Sequence, residues 1–151
     1  MSQPLNRRQV LERIPQQEPF RFVDEILELD DKRVVGAYRW RPDADFYRGH
    51  FPENPVTPGV LLLESMAQCG IVPLAIHLIH RDFPEKADTL QTLFTDAQIE
   101  FSGIVKPGEQ VTTESTLVFW RHRKLKVEAT MRREDGSTVC SGQLAGLGVA
   151  L

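Results

Sequence analysis

Apolar residues in this chain recur at helical spacing in two stretches and alternate with polar residues in most of the rest. Val10, Leu11 and Ile14 give one apolar face after Asn6, a good N-cap, so a short helix is predicted over 6–14. Pro15 and Pro19 then force an extended connection. Phe20 to Leu29 and Arg33 to Trp40 read as two antiparallel strands. Asp30-Asp31-Lys32 is the turn between them.

The second helical stretch runs from about Pro58 to about His80 and is apolar nearly all round, which marks a buried helix. At about 1.5 Å per residue it would be roughly 33 Å long. Pro73 lacks the N–H that would bond the Cys69 carbonyl, so a kink is expected there. Four further strands follow: Thr92 to Ile104, Gln110 to Trp120, Lys124 to Arg132 and Thr138 to Leu151. Turns at 106–109, 121–124 and 134–137 separate them. Helices and antiparallel strands segregate along the chain, so the fold class is α+β, with a sheet wrapped about one buried helix.

At 151 residues the chain is expected to form a single domain, 1–151, with a sizeable core. A net charge of −3 leaves no basic field for nucleic acid. Cys69 and Cys140 suggest no disulfide framework, and Cys69 reads as a reduced core residue. No apolar leader is visible at the N-terminus, which points to the cytoplasm. The apolar stretch from Pro58 has the length of a membrane span, but Glu64, Gln68, Pro73 and His77 argue against one.

The chemistry concentrates between Tyr47 and Gly70. The 41–57 loop is long for a compact domain, and such loops are often functional. It carries His50 among glycines and prolines. Glu64 stands inside the apolar helix, where desolvation raises a carboxyl pKa and makes it a proton donor. An imidazole titrates near neutrality and accepts one. Pro58 and Gly59 mark a helix entrance whose free N–H groups and positive dipole end suit a developing oxyanion. An acid, a base and an oxyanion site together serve proton-transfer chemistry. Gln68, one turn past Glu64, is equally a structural hydrogen-bonding residue and a positioner of Glu64. His77 and His80 share helical spacing but have no Cys or carboxylate beside them, so no metal site is expected. Arg121, His122, Arg123, Lys124 and Lys126 read as a solvated basic turn, with docking of an acidic partner as the rival reading.

The run G-H-F-P-E-N-P-V-T-P-G-V-L-L-L-E-S-M-A-Q resembles the signature of the 3-hydroxyacyl-acyl-carrier-protein dehydratases. I-P-Q-Q-E-P-F-R-F-V-D and F-S-G-I-V-K-P-G-E resemble that family's flanking motifs in the same order. The resemblance implies the hotdog fold, a long central helix wrapped by a curved antiparallel sheet. It also implies a homodimer or higher oligomer, each site taking its His from one chain and its acid from the other. His50 would remove the proton alpha to the thioester carbonyl, and Glu64 would protonate the departing 3-hydroxyl. The Gly59 N–H would bind the thioester oxygen, with Val60, Phe51 and Gln68 around the substrate and the Val56 carbonyl orienting His50. No cofactor or metal is implied. The partner would be an acyl carrier protein bearing a 3-hydroxyacyl chain. A Glu in the acidic position leans toward dehydration without isomerisation. Glu18, Thr57, Glu100, Ser102 and Gly103 depart from the family pattern. These bear on the carrier partner and the acyl pocket, so a specialised pathway stands beside housekeeping fatty acid synthesis. The alternatives are an acyl thioesterase of the same fold and a non-catalytic acyl-binding subunit of a hetero-oligomer.

Overall fold

In the computed structural model, which describes residues 3–151, a six-stranded antiparallel sheet wraps a central helical stretch. The elements run α1 (Arg7–Arg13), β1 (Glu25–Leu29), β2 (Arg33–Arg39), α2 (Gly59–Gly70), α3 (Val72–Asp82), β3 (Leu90–Phe101), β4 (Gln110–Arg121), β5 (Lys124–Arg133) and β6 (Thr138–Ala150). The sheet order is β1-β2-β4-β5-β6-β3. The hairpin β1–β2 and the meander β4–β5–β6 thus lie side by side, and β3 pairs with β6 at the far edge. The order of helices and strands and the α+β hotdog architecture agree with the sequence reading.

Alternation aims one face of each central strand at the helix. On β5, Leu125, Val127, Ala129 and Met131 are buried against it, while Glu128 and Arg132 face outward. From α2, Leu62, Met66, Ala67 and Cys69 fill the space between. The helix crosses β2 so closely that a Cβ on Gly36 would lie 2.7 Å from the Cys69 Cβ, so position 36 admits no side chain. Trp40 is fully buried, stacked on Phe22 and edge-on to Tyr38, which is the packing role expected of it.

Three details differ from the sequence reading. The first strand begins at Glu25 rather than Phe20, because α2 draws the preceding backbone away from the sheet. Gln68 Oε1 accepts from the Phe22 N–H at 2.6 Å, and Ser65 Oγ donates to the Phe22 carbonyl at 2.8 Å. The long helix is divided at Ile71 (φ −102°, ψ −55°) rather than kinked at Pro73. The missing Pro73 N–H is accommodated by a fresh helix start, with Pro73 in the first turn of α3. The 41–57 loop contains a 3-10 turn, Asp45–Arg48.

Gly59–Asp82 is long and apolar enough to cross a membrane by length and composition, yet 67% of its apolar window is buried inside the protein. The basic turn is a tight two-residue hairpin with positive φ at His122 and Arg123, and the Arg121 guanidinium lies over the Phe119 ring. The two edges of the sheet differ. β1 is short, bulged and covered by α1, with the Arg7 guanidinium donating to the Leu27 carbonyl. β3 is twelve residues long and exposes Leu93, Phe94 and Phe101.

Candidate active site

The His50 loop is held from both sides. The Val56 N–H donates to the His50 carbonyl, and the Thr57 N–H to the Val105 carbonyl. The Tyr47 hydroxyl and the Thr57 hydroxyl share a buried 2.6 Å hydrogen bond. Thr57, a departure from the family pattern, thereby pins the loop to the 3-10 turn. The ring Nδ1 of His50 lies 2.9 Å from the Val56 carbonyl. A carbonyl only accepts, so Nδ1 carries a proton, which in the neutral tautomer leaves the lone pair on Nε2. The His50–Phe51 peptide is cis, and the two rings stack with centroids 4.2 Å apart.

Beyond the loop, α2 begins at Gly59 with Pro58 as its N-cap and no capping side chain. The Leu61 and Leu62 N–H groups both donate to the Pro58 carbonyl. Among the described residues, the Gly59 and Val60 N–H groups donate to no other backbone carbonyl. The edge of the Phe101 ring lies over this first turn, 3.4 Å from where a Gly59 Cβ would stand. Phe51 and Val60 are exposed on the same stretch, 53% and 74%.

One turn further, Glu64 is half-buried on α2. Burial pushes its carboxyl above the ordinary carboxylate range, and a hydrogen bond from Gln68 pulls partly the other way. Gln68 Nε2 donates to Glu64 Oε2 at 2.9 Å and to the Phe20 carbonyl at 3.0 Å. Its Oε1 accepts from Phe22, so one buried carboxamide makes both a structural bond and a contact to Glu64. Glu64 lines a cavity of 280 Å³ with Gln16, Phe20, Ala67, Ile71, Val72, Thr92, Leu93 and Phe94. His50 is not among the residues lining it. Val56 and Phe51 thus contact His50, Gly59 and Val60 form the first turn of α2, and Gln68 contacts Glu64 at the cavity wall.

Sequence reasoning missed the cavity wall made by Gln16 and Phe20. The signal available was the proline-bracketed I-P-Q-Q-E-P-F segment, which reads only as a connection until the helix that holds it is known. His77 and His80 take separate partners, Asp31 at 2.7 Å and the Gln3 carbonyl at 3.2 Å. Among the described residues, no cluster of three or more His, Cys, Asp or Glu is placed to hold a metal ion.

The FabA-like domain family matches residues 14–143. The chain is 36% identical over 136 residues to the 3-hydroxyacyl-[acyl-carrier-protein] dehydratase FabZ of Caldicellulosiruptor bescii, spanning 89% of this chain and 92% of that one. It is 36% identical over 143 residues to the FabZ of Bacillus cytotoxicus, spanning 93% of each. Among solved structures it resembles the dehydratase heterocomplex ApeI:P from Xenorhabdus doucetiae, with a TM-score of 0.74 at 14% identity over 99% of this chain and 93% of that one. It also resembles a thioesterase from Haemophilus influenzae, with a TM-score of 0.69 at 12% identity over 99% and 94%. At such identities these two structures speak for the fold alone. The motif order, the match over most of the chain and the shared architecture agree: the chain belongs to the FabA-like family, among the FabZ-type 3-hydroxyacyl-acyl-carrier-protein dehydratases.

Proposed function

We propose that this protein removes water from a 3-hydroxyacyl thioester carried on an acyl carrier protein, giving the trans-2-enoyl thioester in fatty acid synthesis in the cytoplasm. The observation that carries this reading is the Glu64 carboxyl. It is half-buried, raised in pKa by that burial and held by Gln68 at the wall of a largely apolar cavity. Such a group is protonated more readily than a solvated carboxyl and is placed to give its proton away.

In this mechanism the Nε2 of His50 takes the proton alpha to the thioester carbonyl. The Val56 carbonyl holds the ring in the tautomer that leaves Nε2 free. The Gly59 N–H, at the positive end of α2, donates to the thioester oxygen and stabilises the negative charge growing there. The Val60 backbone and the Phe51 ring border that position. Glu64 then protonates the 3-hydroxyl as the C3–O bond breaks, and the electron pair from the C2–H bond becomes the double bond.

The working unit in this reading is a homodimer. His50 lies outside the cavity of its own protomer's Glu64. The long free edge of β3, with Leu93, Phe94 and Phe101 exposed and Phe101 lying over the entrance of α2, is the surface a second copy would cover. That copy would bring its His50 to this Glu64. The test is direct: incubate the purified protein with 3-hydroxyacyl carrier-protein substrates and follow the mass lost as water. Enoyl product supports the reading. Release of free carrier thiol without enoyl product would replace it with thioester hydrolysis.

A further inference from the structure

A second cavity, of 170 Å³, follows the Glu64 cavity, and Val72 and Thr92 belong to both walls. Three parts of the chain pass through the two cavities in step. On the helices, Glu64 and Ala67 lead through Val72 to Ile76 and Ile79. On β3, Phe94 and Leu93 lead through Thr92 to Gln91 and Leu90. The segment before β1 goes the same way, from Phe20 back to Pro15 and Arg13. The cavities are therefore successive parts of one channel between the helices and β3, joined at Val72 and Thr92.

The two parts differ in chemistry. Around Glu64 the wall is largely apolar. Past the join it includes Arg13, His80, Asp88 and Gln91. His80 Nε2 lies 3.2 Å from the Gln3 carbonyl, which ties down the segment carrying Leu5 at the far wall. Among the described residues Arg13 has one partner, Asp88, at 3.3 Å through Nη1, and the Asp88 side chain is 89% exposed. An ion pair so open to water holds the guanidinium weakly. A hydrocarbon end pushed among these groups would strip water from them and return no hydrogen bond.

Reach agrees with this division. Val72 lies eight residues beyond Glu64 and Ile76 twelve, roughly 12 and 18 Å at ~1.5 Å per residue. With C–C bonds of ~1.5 Å, an extended alkyl chain advances roughly 1.25 Å per carbon. From a C3 held at Glu64, a tail passes the join after about ten further carbons and stands beside Ile76 after about fourteen.

We infer that the substrates include long acyl chains ending in a carboxylate, which Arg13 holds in the second cavity; this rests on the proposed dehydration, which puts C3 at Glu64. The planar fork of the guanidinium presents paired N–H donors that match the two oxygens of a carboxylate. The apolar cavity takes the hydrocarbon between, and the polar one takes the charged end.

The test measures the affinity of the wild-type protein for four saturated acyl carrier proteins. Their chains have about six or about sixteen carbons, either side of the estimated join, and end in a methyl group or a carboxylate. None can lose water, so binding is read without turnover. Of the long pair, the carboxylate-ended ligand is expected to bind about tenfold tighter, the size of one charge-assisted hydrogen bond. Of the short pair, whose ends stay in the apolar cavity, the methyl-ended ligand binds tighter. Arg13→Met abolishes the preference within the long pair, and Arg13→Lys restores part of it. Long ligands bound alike by the wild type, tighter binding of the methyl-ended one, or a preference that survives in Arg13→Met would each overturn the inference. Dehydration of a short methyl-ended 3-hydroxyacyl carrier protein, followed separately, tells failure of this assignment from failure of the proposed reaction.

Discussion

Gln68 joins Glu64 to the backbone of Phe20 and Phe22 through a single carboxamide: it donates to the acid at 2.9 Å and accepts from the Phe22 N–H at 2.6 Å. The group that sets the acid's position is thus also the fastener that lifts the chain off the sheet before β1. Gln68→Leu would leave the buried Phe22 N–H without its acceptor, at a cost of about 1–3 kcal/mol. A lower urea midpoint at unchanged slope checks this. Removing the Gln68 donor also raises the Glu64 pKa further, so activity in the variant extends to higher pH on its alkaline limb.

His50→Ala and Glu64→Gln are each expected to lower turnover by about 10²–10⁴-fold, the usual contribution of a positioned acid or base. Mixing the two inactive variants under conditions that exchange protomers distinguishes a shared site from a single-chain one. With sites that take His50 and Glu64 from different protomers, each mixed dimer keeps one intact site, and statistical exchange returns about a quarter of wild-type activity. A mixture that stays inactive would place both groups in one chain.

The raised Glu64 pKa also has a signature in stability. The folded protein holds this proton more tightly than the unfolded chain does. Ionising Glu64 therefore costs folded-state stability, and the cost grows as pH rises from the unfolded value, about 4.3, through the folded one. Below that window the group is protonated in both states and contributes nothing. Glu64→Gln should melt higher than the wild type at pH 8, with the difference narrowing as pH falls to about 4. Melting curves across pH read this directly; a gap of constant size would show that the carboxyl is not destabilised by its surroundings.

Gly36→Ala tests the closest approach of sheet and helix. The added methyl carbon would stand 2.7 Å from the Cys69 Cβ, and Gly36 is paired on both sides within the sheet, with Ile26 and Thr113. Overpacking of this kind costs about 1–3 kcal/mol. Pairing it with Cys69→Ala leaves the clashing Cβ in place, so little stability should return; Cys69→Gly is the variant that makes room. Chemical denaturation of the three proteins measures the difference.

The sequence made the architecture readable because the apolar stretch from Pro58 and the alternating strands after it differ in period over long runs. His50, Glu64 and Gly59 stand out as candidates for a different reason: an ionisable group in an apolar helix and a His among prolines are each locally anomalous. What stayed hidden depends on contacts distant in the chain. Nothing local to Phe20 says that Gln68 and Ser65, more than forty residues on, will take its neighbours' hydrogen bonds in place of a strand partner. The pause at Ile71 was misplaced by two residues because Pro73 marks which bond is missing, while the packing of two short helices decides where the axis breaks. Gln16 gave no signal, since a glutamine beside a proline is ordinary until it is found at a cavity wall.

The contrast between the two sheet margins reaches beyond catalysis. A bulged, helix-covered β1 offers newly made chains little to adhere to, whereas β3 presents a twelve-residue row of backbone groups flanked by greasy side chains. Outside the proposed homodimer, that row is free to template misassembly with any extended segment nearby. Solubility of the protein in a cell would then rise with its own rate of synthesis over the range where pairing outruns aggregation, the reverse of the usual overexpression problem.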